Sequence, residues 1–242
     1  ISLAALPLVW WRMLLVAGTL ALMPRIWRHL AAMSARLRWA YAGIGALVAL
    51  HWVTFYASIK LSNASVAATC MAMGSVFVSM IEPILAKRAF QRRELLLGVA
   101  VIPGVMLVVG GVPSGMHLGI AIGVFSAFIV AIFSALNKRL VEHGNPLAVT
   151  ALEMAAGAAT VGLLSPLLLR LFPLPEGSGW WPDLRDGGYL LLLAYACTLL
   201  PFTLSLVALR HMSAFSAQMA VNLEPVYTIA FAIVLFHEQR EL

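Results

Sequence analysis

Apolar residues in this chain fall into blocks of roughly 20, the length an α-helix needs to cross a bilayer, and that block length limits the fold before any motif is read. Eight such blocks cover residues 4–23, 39–59, 64–86, 95–112, 116–136, 147–169, 188–208 and 213–236. Inside lipid every backbone polar group needs a partner within the protein, and a helix supplies those partners from its own segment. A membrane β-barrel would instead show alternating segments of about ten residues, a pattern this sequence lacks. Only 11% of the residues are charged and 62% are hydrophobic, where a soluble domain carries about a quarter charged residues. The reading is an all-α integral membrane bundle. The first block is no signal peptide, because Arg12 interrupts it and no small-residue cleavage site follows. The chain begins at Ile1 without methionine and stops at Leu242 directly after a helix, so both ends read as cut.

Alternating the loops between two sides sorts the basic residues. One side receives 24–38 (Arg25, Arg28, Arg36, Arg38), 87–94 (Lys87, Arg88, Arg92, Arg93), 137–146 (Lys138, Arg139) and 209–213 (Arg210). The other receives only Lys60, Arg170, Arg185 and Arg240. Basic loops stay in the cytoplasm, which predicts a multi-pass inner-membrane protein with the first set inside. The net charge of +6 thus fixes topology and gives no reason to expect nucleic acid. The longest outside loop, 170–187, carries Trp180 and Trp181, whose indoles suit a membrane interface. No loop is long enough to house a soluble catalytic module. Cys70 and Cys197 lie in apolar blocks, with neither a disulfide framework nor metal-ligand spacing. No cofactor, metal or catalytic group is expected.

The chain also reads as an internal repeat. An offset of 150 residues aligns Leu50 with Leu200, Lys60 with Arg210, Ala64 with Ala214, Ala67 with Ala217 and Val76 with Val226. Both copies close on Arg-Glu-Leu, at 93–95 and 240–242, although that match requires a gap. The first copy enters its opening helix from inside and the second from outside. The charge count therefore makes the two copies inverted, an architecture of many secondary transporters. The division falls at 1–112 and 113–242.

Four ionisable residues besides histidine sit within apolar blocks: Arg12, Glu82, Glu153 and Glu224. A charge at the centre of a membrane helix costs roughly 2.5–3.5 kcal/mol on insertion scales, so each must face protein or water. Glu82, five residues before Lys87, reads as a snorkelling or locally paired carboxylate near the cytoplasmic surface, with Ser75 and Ser79 on its stripe. Glu224 precedes Pro225, whose missing N–H frees the carbonyl of Val221. A free carbonyl beside a carboxylate can bind a cation, a proton or a substrate amine. Gln218 and Asn222 share one stripe of that helix, and Glu224, Tyr227 and Thr228 another. Arg12 and Glu153 either form a buried ion pair or bind opposite ends of a zwitterion. His51 lies mid-span beside Trp52 and Tyr56; hydrogen bonding to a neighbouring helix, a proton relay and pocket lining are its three roles, and pocket lining is favoured. Gly119 and Gly123 form a GxxxG pattern that brings two helices close. Pro103, Pro166 and Pro201 are candidate kinks.

Three segments carry a family resemblance: His51–Lys60, Phe133-Ser134-Ala135-Leu136-Asn137-Lys138-Arg139 and Asn222-Leu223-Glu224-Pro225-Val226-Tyr227. They resemble the EamA-type transporters of the drug/metabolite transporter superfamily, and the last run is the most specific. The resemblance implies ten helices, as two inverted repeats of five around a central cavity, and export of small metabolites such as amino acids. This chain would then hold eight of the ten, lacking the first and the last.

These readings converge on a carrier that moves a small organic metabolite across the inner membrane by alternating access. Its expected substrate residues are Asn222, Glu224 and Tyr227 on one side and His51, Trp52 and Tyr56 on the other, with Arg12 and Glu153 as second choices. Titratable carboxylates allow proton coupling. The rivals are a receptor or scaffold with a static polar core and a membrane-embedded enzyme. The second finds no support in sequence, which lacks an H-E-x-x-H helix and a G-x-S-x-G turn.

Overall fold

Long runs of Leu, Ala, Val and Met with good helix propensity, punctuated by Ser, Asn, Asp and Pro, dictate helices with defined starts. The computed structural model describes residues 3–171, 173, 174 and 179–223, and its regular structure there is entirely helical. In chain order these are α1 (Ala5–Ala21), α2 (Pro24–Ala32), α3 (Ala35–Leu61), α4 (Ala64–Met71), α5 (Gly74–Leu85), α6 (Arg92–Val99) and α7 (Ile102–Gly110). There follow α8 (His117–Leu140), α9 (Pro146–Leu171), α10 (Leu184–Ala194), α11 (Leu200–His211) and α12 (Ala214–Val221). A π-helical turn, Tyr195–Leu199, joins α10 to α11. The side chains of Ser34, Asn63, Asp183 and Ser213 each accept a backbone N–H three residues on, capping α3, α4, α10 and α12.

Among the described residues five helical stretches are long and apolar enough to cross a membrane: Ala35–Leu61, Ala64–Leu85, Ser114–His143, Pro146–Arg170 and Leu184–His211. A sixth counts only if α1 and α2 form one span, and these two turn by 91° at their junction. Pro24 opens α2 at its first position, where its missing N–H has no intrahelical acceptor in any case. The eight full-length spans expected from block length are therefore not all found among the described residues. Block 95–112 shows why. Pro103 cannot donate to Val99, so the helix ends there and restarts at Ile102 as α7. The part of block 213–236 beyond residue 223, with Glu224, Tyr227 and the second Arg-Glu-Leu, lies outside the described residues.

α3 packs against both α8 and α9, α1 against α9 and α3, and α5 against α8. Val9, Met13, Val16 and Leu20 form the buried stripe of α1, and Tyr41, Ile44 and Val48 that of α3, both at helical spacing. Glycines set the closest approaches, as small residues do between membrane helices. A Cβ on Gly45 would lie 2.2 Å from the carbonyl oxygen of Glu153, so α3 and α9 touch backbone to backbone. The Gly119–Gly123 pair does the same for α8: a Cβ would lie 2.8 Å from the Leu61 carbonyl carbon at Gly119 and 2.7 Å from Ser58 Oγ at Gly123. Ser58 fills the gap by donating to the Gly119 carbonyl at 2.7 Å.

The two ends of the bundle differ chemically. At one end Lys138 Nζ donates to the Leu209 carbonyl (2.7 Å), and Arg210 Nη2 to those of Val141 (3.3 Å) and Gly144 (2.7 Å). A Cβ on Gly144 would lie 3.1 Å from Met33 Cε, so loops 24–38, 137–146 and 209–213 meet there. At the other end Trp11 Nε1 donates to the Trp180 carbonyl at 2.9 Å. The ring centroids of Trp10 and Trp180 lie 5.9 Å apart, and those of Trp11 and Trp181 5.3 Å.

One backbone pattern occurs twice. A long helix ends at Leu61, Asn63 caps α4, and α4 gives way to a turn at 72–73; a long helix ends at His211, Ser213 caps α12, and α12 gives way to a turn at 222–223. The separation is the 150 residues at which the identities align.

Candidate binding cavity

Between α1, α3, α8, α11 and α12 lies a cavity of about 520 Å³, within the usual range for small-molecule sites of ~300–1,000 Å³. Its polar lining includes Arg12, His51, Tyr56, Ser134, Thr198 and Gln218, and its apolar lining Trp52, Phe55, Phe133 and Phe202.

Arg12 is the centre of the polar network. Its guanidinium carbon stands 4.0 Å from the centroid of Trp52, a cation–π contact. Nη1 donates to the Tyr56 hydroxyl at 3.4 Å, Nη2 to the Cys197 carbonyl at 3.1 Å, and Nε to Thr198 Oγ1. Local sequence explains why those acceptors are available. Pro201 has no N–H to give the carbonyl four residues earlier, which is that of Cys197. Thr198 donates its own proton to the Leu193 carbonyl at 2.8 Å, so its lone pairs are left for Arg12. Both acceptors sit in the π-helical turn, a feature that recurs at functional sites.

His51 closes one wall. Ser126 Oγ donates to the His51 carbonyl at 3.0 Å and stands 2.8 Å from His51 Nδ1. Serine has one proton, so Nδ1 carries the hydrogen of that second contact and Nε2 is the acceptor. The ring also stacks loosely against Phe55 and Phe133, with centroids 6.0 and 5.7 Å away. On the opposite wall Gln218 is buried and donates from Nε2 to Asn222 Oδ1 at 3.5 Å. Gly74 admits it: a Cβ there would lie 3.0 Å from Gln218 Nε2.

The sequence-derived residues therefore divide. His51, Trp52, Tyr56 and Arg12 share the cavity wall. Asn222 is half-buried one turn beyond Gln218 and reaches the cavity only through that residue. Glu224 and Tyr227 fall outside the described residues. The Arg12–Glu153 ion pair does not form, because Glu153 is buried elsewhere and accepts from Asn137 Nδ2 at 3.4 Å. Glu153 Oε1 and Asn137 Oδ1 have no hydrogen-bond partner among the described residues. Thr198 and the Cys197 carbonyl were not anticipated. The signal was present in Pro201, read only as a kink.

Glu82 is locally paired, as its position suggests, and does more. Fully buried, it accepts Arg88 Nη2 at 2.9 Å and the backbone N–H groups of Ala214 and Phe215, each at 2.9 Å. A side chain of the first copy thus caps a helix of the second. Arg88 also donates to Glu94. Burial lowers the basicity of Arg88, and its hydrogen bonds to Glu94 and Glu82 outweigh that, leaving its pKa above the ordinary value. Ser75 and Ser79 donate their hydroxyls to carbonyls three residues earlier, those of Ala72 in the preceding turn and Val76 in α5.

No group of three or more His, Cys, Asp or Glu side chains able to hold a metal occurs among the described residues. A family model, that of the EamA-like transporter family, matches residues 117–242. No curated protein and no solved structure matched the chain. That match covers just over half of a chain built of membrane-length helices, and the chain belongs to the EamA-like transporter family of the drug/metabolite transporter superfamily.

Proposed function

We propose that this multi-pass membrane transporter moves a small organic metabolite, outward across the inner membrane, by alternating access between two inverted copies, residues 1–112 and 113–242. The observation that carries the reading is the cavity to which both copies contribute: Arg12, His51, Trp52 and Tyr56 from the first, Thr198 and Gln218 from the second. A static scaffold has no use for a space of about 520 Å³ lined by a cation and several hydroxyls, since buried polar groups without partners are costly. The recurrence of the capped α4 and α12 units at a separation of 150 residues supports duplication. The meeting of three basic loops at one end and of paired tryptophans at the other supports a cytoplasmic assignment for the basic end. The direction of export follows the family.

His51, Trp52, Tyr56 and Arg12 contact substrate in this account, Asn222 orients Gln218, and Glu224 and Tyr227 complete the second copy's share. Glu224 carries the coupling proton. Thermal stability of the solubilised protein, screened against amino acids, nucleosides, sugars and organic acids, identifies the ligand class. Transport of the stabilising compound then checks the coupling. Glu224→Gln should flatten the pH dependence, and an unchanged rate and pH profile would remove Glu224 from the mechanism.

A further inference from the structure

We propose that the cavity selects organic anions, with Arg12 anchoring the substrate's acid group and the Trp52 face and neighbouring rings seating an apolar or aromatic body. This rests on the transport reading above and names its substrate class.

Arg12 is held entirely by neutral partners: the Thr198 hydroxyl, the Tyr56 phenol, the Cys197 carbonyl and the π-face of Trp52. The two ion pairs among the described residues both belong to Arg88. No carboxylate lines the cavity among those residues. Among the described residues the positive charge is thus positioned and met by no carboxylate. A guanidinium carries five N–H groups, and the three hydrogen bonds of Arg12 use one on each nitrogen. One hydrogen remains on each Nη, the fork that takes both oxygens of a carboxylate side by side. An ionised group within a membrane bundle is retained where it pairs or binds, and a bound acid supplies the missing pair.

Among the described residues the cavity offers an ammonium group no carboxylate. An amino acid needs a carboxylate opposite Arg12 for its ammonium group. Of the two sequence candidates, Glu153 is buried against Asn137 and does not line the cavity, and Glu224 lies outside the described residues. Phe55, Phe133 and Phe202 instead give the rest of the ligand an apolar seat.

The test uses matched acids and amides: acetate, phenylacetate and indole-3-acetate against acetamide, phenylacetamide and indole-3-acetamide. Calorimetric titration of the solubilised wild-type protein should show at least one acid binding roughly tenfold to a hundredfold tighter than its amide, the ratio expected for charge-assisted hydrogen bonds. That comparison depends on no variant folding. Arg12→Gln should bring acid and amide to equal affinity, and Arg12→Lys should keep part of the preference. Equal binding of acid and amide to the wild type, binding of no acid in the set, or an undiminished preference in Arg12→Gln overturns the proposal. Flux in proteoliposomes separates it from the transport reading. An acid bound through Arg12 yet never carried overturns transport and upholds the site. Carriage of a neutral or cationic compound at equal rates by wild type and Arg12→Gln upholds transport and overturns anion selection.

Discussion

Glu82 Oε1 accepts the backbone N–H of Ala214 at 2.9 Å, so a carboxylate on α5 caps α12 from 132 residues away. The first-turn N–H groups of a helix have no intrahelical acceptor, and a carboxylate there also opposes the positive end of the helix dipole. Because α12 carries Gln218 into the cavity wall, this contact ties the site's second half to the first. Loss of a cap costs about 0.5–2 kcal/mol, and Arg88 loses one of its two carboxylates as well. Glu82→Ala should therefore lower the melting temperature of the solubilised protein by several degrees, at ~2–4 °C per kcal/mol for chains of this size. Glu82→Gln should fall between it and the wild type. Unaltered melting of Glu82→Ala would show that α12 is held by other means.

The crossing of α3 and α9 depends on one glycine and not on its neighbour two positions away. A Cβ at Gly45 meets the Glu153 backbone at 2.2 Å, whereas one at Gly43 meets nothing within 4 Å. Gly45→Ala must push two helix backbones apart, at a cost of about 1–3 kcal/mol or more. Gly43→Ala gains helix propensity, roughly 1 kcal/mol. The two variants should move the melting temperature in opposite directions, and a like-signed shift would contradict this packing.

Among the described residues Glu153 Oε1 and Asn137 Oδ1 have no hydrogen-bond partner. An amide at position 153 brings N–H groups to that orphaned pair. Relief of an unsatisfied buried polar group amounts to about 1–3 kcal/mol. Glu153→Gln should melt higher than the wild type and transport normally, since residue 153 does not line the cavity. Lost transport with an intact fold would return Glu153 to the substrate site.

The natural cysteines report the cavity directly. Cys197 is exposed and lines it, while Cys70 is buried beneath Gly123. A water-soluble maleimide should modify Cys197 alone, as mass spectrometry of the peptides would reveal, and bound ligand should slow the reaction. Modification of Cys70 at a comparable rate would mean that the α4–α8 contact opens.

Much of the architecture was legible because it is written in local sequence. Block length gives the helices, and Gly119 and Gly123 announce a close contact by their spacing. His51, Trp52 and Tyr56 were legible as a polar and aromatic patch on a span with no reason to face lipid. The rest depends on pairs distant in the chain. Gly45 has no spaced glycine partner on its own helix, so its role appears only when α9 lies across it. Glu82 looks like a surface carboxylate until Ala214 and Phe215 present their N–H groups. For Arg12 the sequence leaves an ion pair with Glu153 and a shared zwitterion site as alternatives, because both residues are ionisable and lie in apolar blocks. The actual partners of Arg12 are neutral, and they became available through a proline at 201 and a π-helical turn.

The central claim is that the cavity between the two copies is the route of transport. The most direct measurement is uptake of the stabilising ligand by proteoliposomes holding the wild-type protein or Ser134→Trp, whose indole would intrude from the α8 side into the cavity of about 520 Å³. Wild-type uptake, with loss of uptake in a variant that melts normally, is the expected result. Uptake by Ser134→Trp at the wild-type rate would contradict the claim.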